Sequence, residues 1–306
     1  MLKREYSMGR FWSCAASALA AGCLVAGSSR AAGVTDLLDR PSVQTRRAAQ
    51  AVLLDVARAG DRLVAVGERG IVVLSDDAGK TWRQARVPTS VSLTAVQFPS
   101  ARQGVAAGHS GVILQSEDAG ESWTRRLDGK VAAQLALDAA RARATAKPND
   151  AAAKTLVIEA ERLVSDGADK PFLSLDFADE KTGFVAGAYG LLFRTGDGGR
   201  TWQTWMDRVD NPKGLHLYAV KFVGRNVYLA GEQGLFLRST DGGESFTRAE
   251  TPYKGTYFTI AASAAGEIVL AGLRGNAYHS ADQGKTFTKV EVPVPVSFSA
   301  AATLKD

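Results

Sequence analysis

The chain has 306 residues, 45% hydrophobic and 23% charged, with a formal net charge of +5. That balance excludes a fibrous, low-complexity or intrinsically disordered chain. Only Cys14 and Cys23 are cysteines, which excludes a disulfide-stapled scaffold.

Lys3, Arg4 and Arg10 form a basic start, "FWSCAASALAAGCLVAG" (11–27) an apolar run, and Ser29 and Ala31 the small residues of a cleavage site. Residues 1–31 therefore read as a signal peptide, residues 32–306 as the exported chain and the periplasm as its destination. The run is too short for a transmembrane helix, and no later stretch reaches the ~20 apolar residues of a span. Cys23, in "LAAGC", offers an alternative lipid anchor, although Ala20 stands where a larger aliphatic is usual. Both cysteines lie within this segment, so the exported chain has no disulfide to form. The segment also holds four of the Lys and Arg and one Glu, leaving 33 basic against 31 acidic side chains. That is no electrostatic footprint for nucleic acid.

From residue 53 the pattern becomes β. "LLDVA" (53–57) alternates, "VAVGERGIVVLS" (64–75) places a Gly-x-x-Gly turn between two apolar runs, and "SDDAGKTW" (75–82) closes the unit. The same order returns as "LTAVQF" (93–98), "VAAGHSGVILQS" (105–116) and "SEDAGESW" (116–123). Then the alternation stops. "KVAAQLALDAARARATAK" (130–147) and "DAAAKTLVIEAERLVSDG" (150–167) have apolar residues at helical spacing, with Pro148 breaking the first helix and Gly167 stopping the second. Asn149 or Asp150 is placed to cap the second helix, so residues 130–168 read as an inserted helical hairpin.

The β units resume with "LSLDF" (173–177), "FVAGAYGLLFRT" (184–195) and "TGDGGRTW" (195–202). A fourth follows in "LYAVKF" (217–222), "YLAGEQGLFLRS" (228–239) and "STDGGESF" (239–246). A fifth follows in "FTIAA" (258–262), "VLAGLRGNAYHS" (269–280) and "SADQGKTF" (280–287). "VSFSAAATLKD" (296–306) resembles the first strand of a sixth unit.

The closing box reads Ser/Thr-x-Asp-x-Gly-x-Ser/Thr-Trp/Phe in all five copies, with Asp77, Asp118, Asp197, Asp241 and Asp282 spaced by 41, 79, 44 and 41 residues. The helical insertion explains the 79. Four short antiparallel strands every ~40 residues are the signature of a propeller blade. The expected fold is all-β: five complete four-stranded blades and a partial sixth, truncated from a larger propeller, with residues 33–50 as an alternative patch for the gap. The box suits a turn between the third and fourth strands, with Gly supplying positive φ and Asp and Ser/Thr oxygens capping backbone N–H groups. Trp82, Trp123, Trp202, Phe246 and Phe287 begin the fourth strands. Repetition makes these acids structural, not a single catalytic pair.

In a propeller the turns between second and third strands share one rim, opposite the boxes. Their tips are Glu68–Arg69, His109–Ser110, Ala188–Tyr189, Glu232–Gln233 and Leu273–Arg274. Differing, mostly polar tips on equal scaffolds suit a ring that reads a partner. The candidate partner-binding residues are therefore Glu68, Arg69, His109, Tyr189, Glu232, Gln233 and Arg274. The helical hairpin is expected on the same face, as a lid or docking arm or as a packed decoration.

The five boxes and whole units such as "LLDVARAGDRLVAVGERGIVVLSDDAGKTW" (53–82) make the chain resemble the photosystem II stability and assembly factor family of Asp-box, or BNR-repeat, propellers. The resemblance covers most of residues 51–290. Sialidases, xyloglucanases and sorting receptors share single boxes. The helical insertion departs from the plant and cyanobacterial pattern and is similar to bacterial relatives outside photosynthesis, and the family implies seven blades. The resemblance implies a non-enzymatic, monomeric propeller without cofactor or metal. Its partner would be a membrane protein or a peptide segment of a membrane complex, a transporter among the candidates.

The competing reading is a glycoside hydrolase, in which Glu68 and Glu232 would face each other across the funnel. The Arg-Ile-Pro segment of sialidases is missing. His109, His216 and His279 lack metal-ligand spacing, "GDGG" (196–199) leads into a strand and not a phosphate-cradling helix, and "RAR" (141–143) is a solvated helix face. The aromatics follow the boxes too regularly to be stacking platforms for nucleic acid.

Overall fold

The alternating runs pair as their spacing predicts. The computed structural model describes residues 36–303, which contain five antiparallel sheets of four strands each. The expected signal peptide over residues 1–31 and the lipid-anchor alternative at Cys23 fall outside these residues. The first sheet holds β1 (Leu53–Ala59), β2 (Arg62–Gly67), β3 (Val72–Ser75) and β4 (Arg83–Gln84). The second holds β5 (Leu93–Gln97), β6 (Gly104–Gly108), β7 (Ile113–Ser116) and β8 (Thr124–Leu127). Two helices, α1 (Gly129–Ala146) and α2 (Ala151–Asp166), precede β9 (Phe172–Phe177), β10 (Gly183–Gly187), β11 (Leu192–Thr195) and β12 (Gln203–Thr204). The fourth sheet is β13 (Leu217–Val223), β14 (Asn226–Gly231), β15 (Phe236–Ser239) and β16 (Thr247–Arg248). The fifth is β17 (Tyr257–Ala262), β18 (Ile268–Gly272), β19 (Ala277–Ser280) and β20 (Thr288–Val290). Every sheet is a meander, its strands ordered as in the chain.

The inner strands β1, β5, β9, β13 and β17 pack side by side in that order, and residues from all five line one cavity of about 570 Å³. Apolar side chains fill the wedge between successive sheets. Phe184, Ala186 and Leu192 of the third sheet, for example, meet Leu217, Val220, Phe222 and Leu229 of the fourth. Each buried Phe, Leu or Val side chain among them contributes about 1.5–3 kcal/mol. Polar side chains link the inner strands as well. Asp55 accepts the Val96 N–H at 2.8 Å, Ser174 accepts that of Val220 at 3.2 Å and Asp176 accepts that of Phe222 at 2.7 Å.

Among the described residues no sheet precedes the first. Val56 is 58% exposed, whereas Val96, Leu175, Val220 and Ile260, at the same register, are 4–8% exposed. The short turn Ala48–Gln50 covers part of that face, with Ala48 against Ala65, Ile71 and Val73. Beyond the fifth sheet the chain runs extended. Phe298 donates its N–H to Gly272 at 3.0 Å and the Thr303 hydroxyl donates to the Ala262 carbonyl at 3.0 Å. Residues 297–303 thus occupy the place of a sixth inner strand, and the array is open between its first and last members.

Asp128 caps α1 by accepting the Lys130 and Val131 N–H groups, Asp150 caps α2, and Gly167 at φ 78° ends it. The alanine face of α1, with Leu137, joins Leu163 of α2 against Leu191 and Trp202 of the third sheet. Arg143 adds a 3.1 Å ion pair to Asp207. The hairpin leaves the sheets beside the second Gly-x-x-Gly turn, where a Cβ on Gly111 would lie 2.5 Å from the Gly129 Cα. None of its residues lines the cavity.

Candidate partner-binding rim

The five boxes form one repeated hydrogen-bonded turn. In each, the Asp accepts the hydroxyl two residues before it at 2.6–2.9 Å and the backbone N–H four residues after it at 2.8–3.1 Å. Its second oxygen accepts the hydroxyl of that later residue at 2.6–2.7 Å. These donors stabilise the ionised form. The Thr81 hydroxyl leads in holding Asp77 at about 2, that of Ser239 lowers Asp241, and that of Thr286 lowers Asp282. Burial opposes ionisation of Asp118 and Asp197, but the hydrogen bonds from Ser122 and Thr201 outweigh it and both are lowered.

Trp82, Trp123 and Trp202 each donate their indole N–H to the box glycine carbonyl at 3.0–3.2 Å. Phe246, in the fourth box, has no such donor. Trp205, following β12, supplies it across the sheet boundary, with Nε1 at 2.6 Å from the Gly243 carbonyl. Glu244 pairs with Arg194 at 2.5 Å across the same boundary. The box residues are thus committed to the turn and to neighbouring sheets.

On the opposite face the Gly-x-x-Gly segments form five equivalent 3-10 turns. The first glycine of each is needed for close approach. A Cβ there would lie 2.0–2.4 Å from a carbonyl oxygen just before the inner strand, that of His216 in the case of Gly231. The third residue of each turn is left-handed without being glycine: Arg69 at φ 54°, Ser110 at 55°, Tyr189 at 56°, Gln233 at 53° and Arg274 at 56°. That conformation costs an L-residue on the order of 1–2 kcal/mol, and it aims five side chains of four kinds from one rim. Arg69, His109, Tyr189, Gln233 and Arg274 are exposed.

The two acids of this rim are engaged within their own sheets. Glu68 accepts the Val52 N–H at 3.1 Å, and Glu232 accepts that of His216 at 2.9 Å. His216 Nδ1 also lies 3.0 Å from Glu232 but is not aligned to hydrogen-bond. Both carboxylates therefore cap the entrance of an inner strand, a role that the sequence pattern did not reveal. Arg69 and Arg274 each present their own N–H to a serine hydroxyl, that of Ser92 before β5 and that of Ser297 in the extended tail.

Sequence reasoning also missed Asp55 and Asp176 in the cavity wall. Burial is the largest influence on both and pushes their carboxyl groups up, despite Lys221 at 3.3 Å from Asp176. Among the described residues there is no cluster of His, Cys, Asp or Glu fit for a metal ion. Nor is any helix there long and apolar enough to cross a membrane.

Comparison with known proteins matches the resemblance read from the repeats. The family described as photosynthesis system II assembly factor YCF48 matches residues 157–294. A curated relative, the photosystem II assembly lipoprotein Ycf48 of Synechococcus sp. strain CC9902, is 32% identical over 92 residues. That match takes in 29% of this chain and 28% of the length of the relative. Among solved structures, YCF48 from Cyanidioschyzon merolae is similar with a TM-score of 0.53 at 14% identity, covering 79% of this chain and 70% of that one. The GH74 xyloglucanase of Xanthomonas campestris is similar with a TM-score of 0.51 at 16% identity, covering 83% of this chain and 38% of that one. At such identities these two structures establish the propeller fold alone.

Proposed function

We propose that this chain is an exported, non-enzymatic binding propeller that assists the assembly or operation of a membrane protein complex outside photosynthesis. It acts as a monomer, without cofactor, and reads a membrane protein or peptide segment with its Gly-x-x-Gly rim. One observation carries the reading: five backbone-equivalent, left-handed tips present four different side chains, arginine twice, on an otherwise repeated scaffold. Strain that recurs where side chains point outward fits a recognition surface. The curated relative named as an assembly lipoprotein supports the assembly role and the export. A transporter is one fitting partner.

Against glycoside hydrolysis stands the use of the available acids. The box aspartates accept hydrogen bonds within their turns, and Glu68 and Glu232 cap backbone N–H groups. The test is capture of membrane proteins by crosslinking in the native periplasm, comparing wild type with the Arg69→Glu, Arg274→Glu double variant. Loss of the captured partner by the double variant is expected, and unchanged capture would overturn the rim reading. Turnover of a fluorogenic glycoside that Glu68→Gln abolishes would install the hydrolase instead.

A further inference from the structure

Four rings run from the rim into the axial cavity. Tyr189, half exposed at the tip of the third turn, has its centroid 4.9 Å from that of His216. His216 is followed by Tyr218 at 6.1 Å, and Tyr218 by Phe258 at 5.0 Å. Tyr218 and Phe258 line the cavity together with Thr94, Ser174, Thr259 and Ser297. The Thr94 hydroxyl already donates to the Phe172 carbonyl at 2.7 Å, whereas Ser174 and Ser297 accept backbone N–H groups and keep their own O–H to donate. The run does not repeat around the array. At the register of Tyr218 and Phe258, the first three sheets carry Leu54, Thr94 and Leu173. A purely architectural residue would recur as the boxes do, so the aromatic wall distinguishes one sector.

The outer end of the run is held in place. Lys170 is nearly buried at the foot of the helical hairpin, bonds Asp166 at 3.0 Å and Asp169 at 2.6 Å, and lies 4.8 Å from the Tyr189 ring centroid. Such a cation over an aromatic face stabilises the ring position. The hairpin therefore supports Tyr189 from the side.

The chemistry of the wall selects against a charged occupant. Asp176 is paired with Lys221, Asp55 already accepts the Val56 and Val96 N–H groups at 2.8 Å, and Glu232 accepts that of His216. Successive rings are tilted by 42°, 23° and 88°, which leaves notches between edges and no flat shelf for a sugar face. Notched aromatic grooves take the pyrrolidine rings and aliphatic side chains of extended polyproline-like peptides, whose free backbone groups need nearby hydrogen-bonding partners.

We propose that the Tyr189–His216–Tyr218–Phe258 run seats an extended, uncharged peptide segment bearing proline or bulky apolar side chains, with the Ser174 and Ser297 hydroxyls bonding its backbone. This rests on the reading of the chain as a partner-binding propeller and names the chemistry of the segment bound. The probe is a fluorescein-labelled peptide, Gly-Pro-Leu-Pro-Tyr-Pro-Leu-Pro-Gly, titrated with the full chain by fluorescence anisotropy. Wild type should bind saturably. Tyr189→Ser, at an exposed tip, and Tyr218→Leu, which keeps the bulk, should each weaken binding about tenfold with melting temperature preserved. An Arg248→Glu variant, exposed on β16 away from both rim and cavity, should bind the peptide as wild type does. Absence of saturable binding, or equal binding by the ring variants, overturns the inference. So does saturable binding of a xyloglucan heptasaccharide in place of the peptide. If the peptide fails while membrane-partner capture still depends on Arg69 and Arg274, only this inference falls. If capture ignores the arginines, the rim reading falls with it.

Discussion

At the scale of single residues, the rim turns set two backbone demands against each other. Gly231 must lack a Cβ because the His216 carbonyl oxygen stands 2.1 Å from where that atom would be. Gln233, two residues later, keeps a side chain at φ 53° where glycine would be relaxed. Replacing Gln233 by Gly should therefore stabilise the chain by about 0.5–1 kcal/mol, the relief of left-handed strain exceeding the entropy of a freer unfolded chain. Gly231→Ala should destabilise it by more than about 2 kcal/mol, because the contact is with backbone and only a strand shift relieves it. Urea titration followed by tryptophan fluorescence separates the two, and a destabilised Gln233→Gly would refute the strain. The need for glycine at these positions was legible, because five turns spelled it in the same place. The caps formed by Glu68 and Glu232 were not. A carboxylate at a turn tip looks the same in a sequence whether it faces solvent or folds back onto an amide.

At the scale of elements, each sheet repeats one solution to one problem, and that made the fold readable from spacing alone. The informative element is the fourth box, where the repeat is broken and a neighbour repairs it. Phe246 cannot donate to the Gly243 carbonyl, and Trp205 of the preceding unit does so at 2.6 Å while its ring packs on Phe184 and between Arg194 and Arg208. Trp205→Phe should cost about 1–3 kcal/mol by leaving a buried carbonyl unsatisfied. Adding Phe246→Trp should recover part of that loss, since an indole at 246 is placed as Trp202 is in the third box. The coupling is measurable as a double-mutant cycle, and strict additivity of the two changes would contradict it. Nothing in the sequence announced this exchange, because Trp205 lies outside the box pattern and its partner is 38 residues away. The aromatic run from Tyr189 to Phe258 was hidden for the same reason. Its members come from three sheets, with only Tyr218 and Phe258 at the same position within their units, and the fanning of inner strands brings them together. The helices, by contrast, were readable from composition and breakers. Their docking on the outside of the third sheet was not, since an alanine face packs equally well in many directions.

At the scale of the described array, two populations of aspartate oppose each other as pH changes. The five box carboxyls sit below the ordinary value near 4, Asp77 at about 2, so each stabilises the folded state above pH ~4 and loses that contribution as pH falls through its folded value. Asp55 and Asp176 are raised, first by burial, so they act in the other sense. Their folded forms gain by holding a proton, and that gain is lost as pH rises through the raised values. Lowering pH from neutral should first increase stability, as the cavity carboxyls protonate, and then decrease it below about 4 as the box turns lose their charge. Urea midpoints between pH 3 and pH 7.5 should therefore pass through a mildly acidic maximum. In the Asp55→Asn, Asp176→Asn double variant the rise should vanish while the acid loss remains, because the boxes lie on the opposite face and share no partner with the cavity wall. A wild-type midpoint that fell steadily from neutral pH would show that the Lys221 pairing and backbone N–H bonds, and not burial, govern the cavity carboxyls. The inner strands would then be held by charged links in place of strained ones.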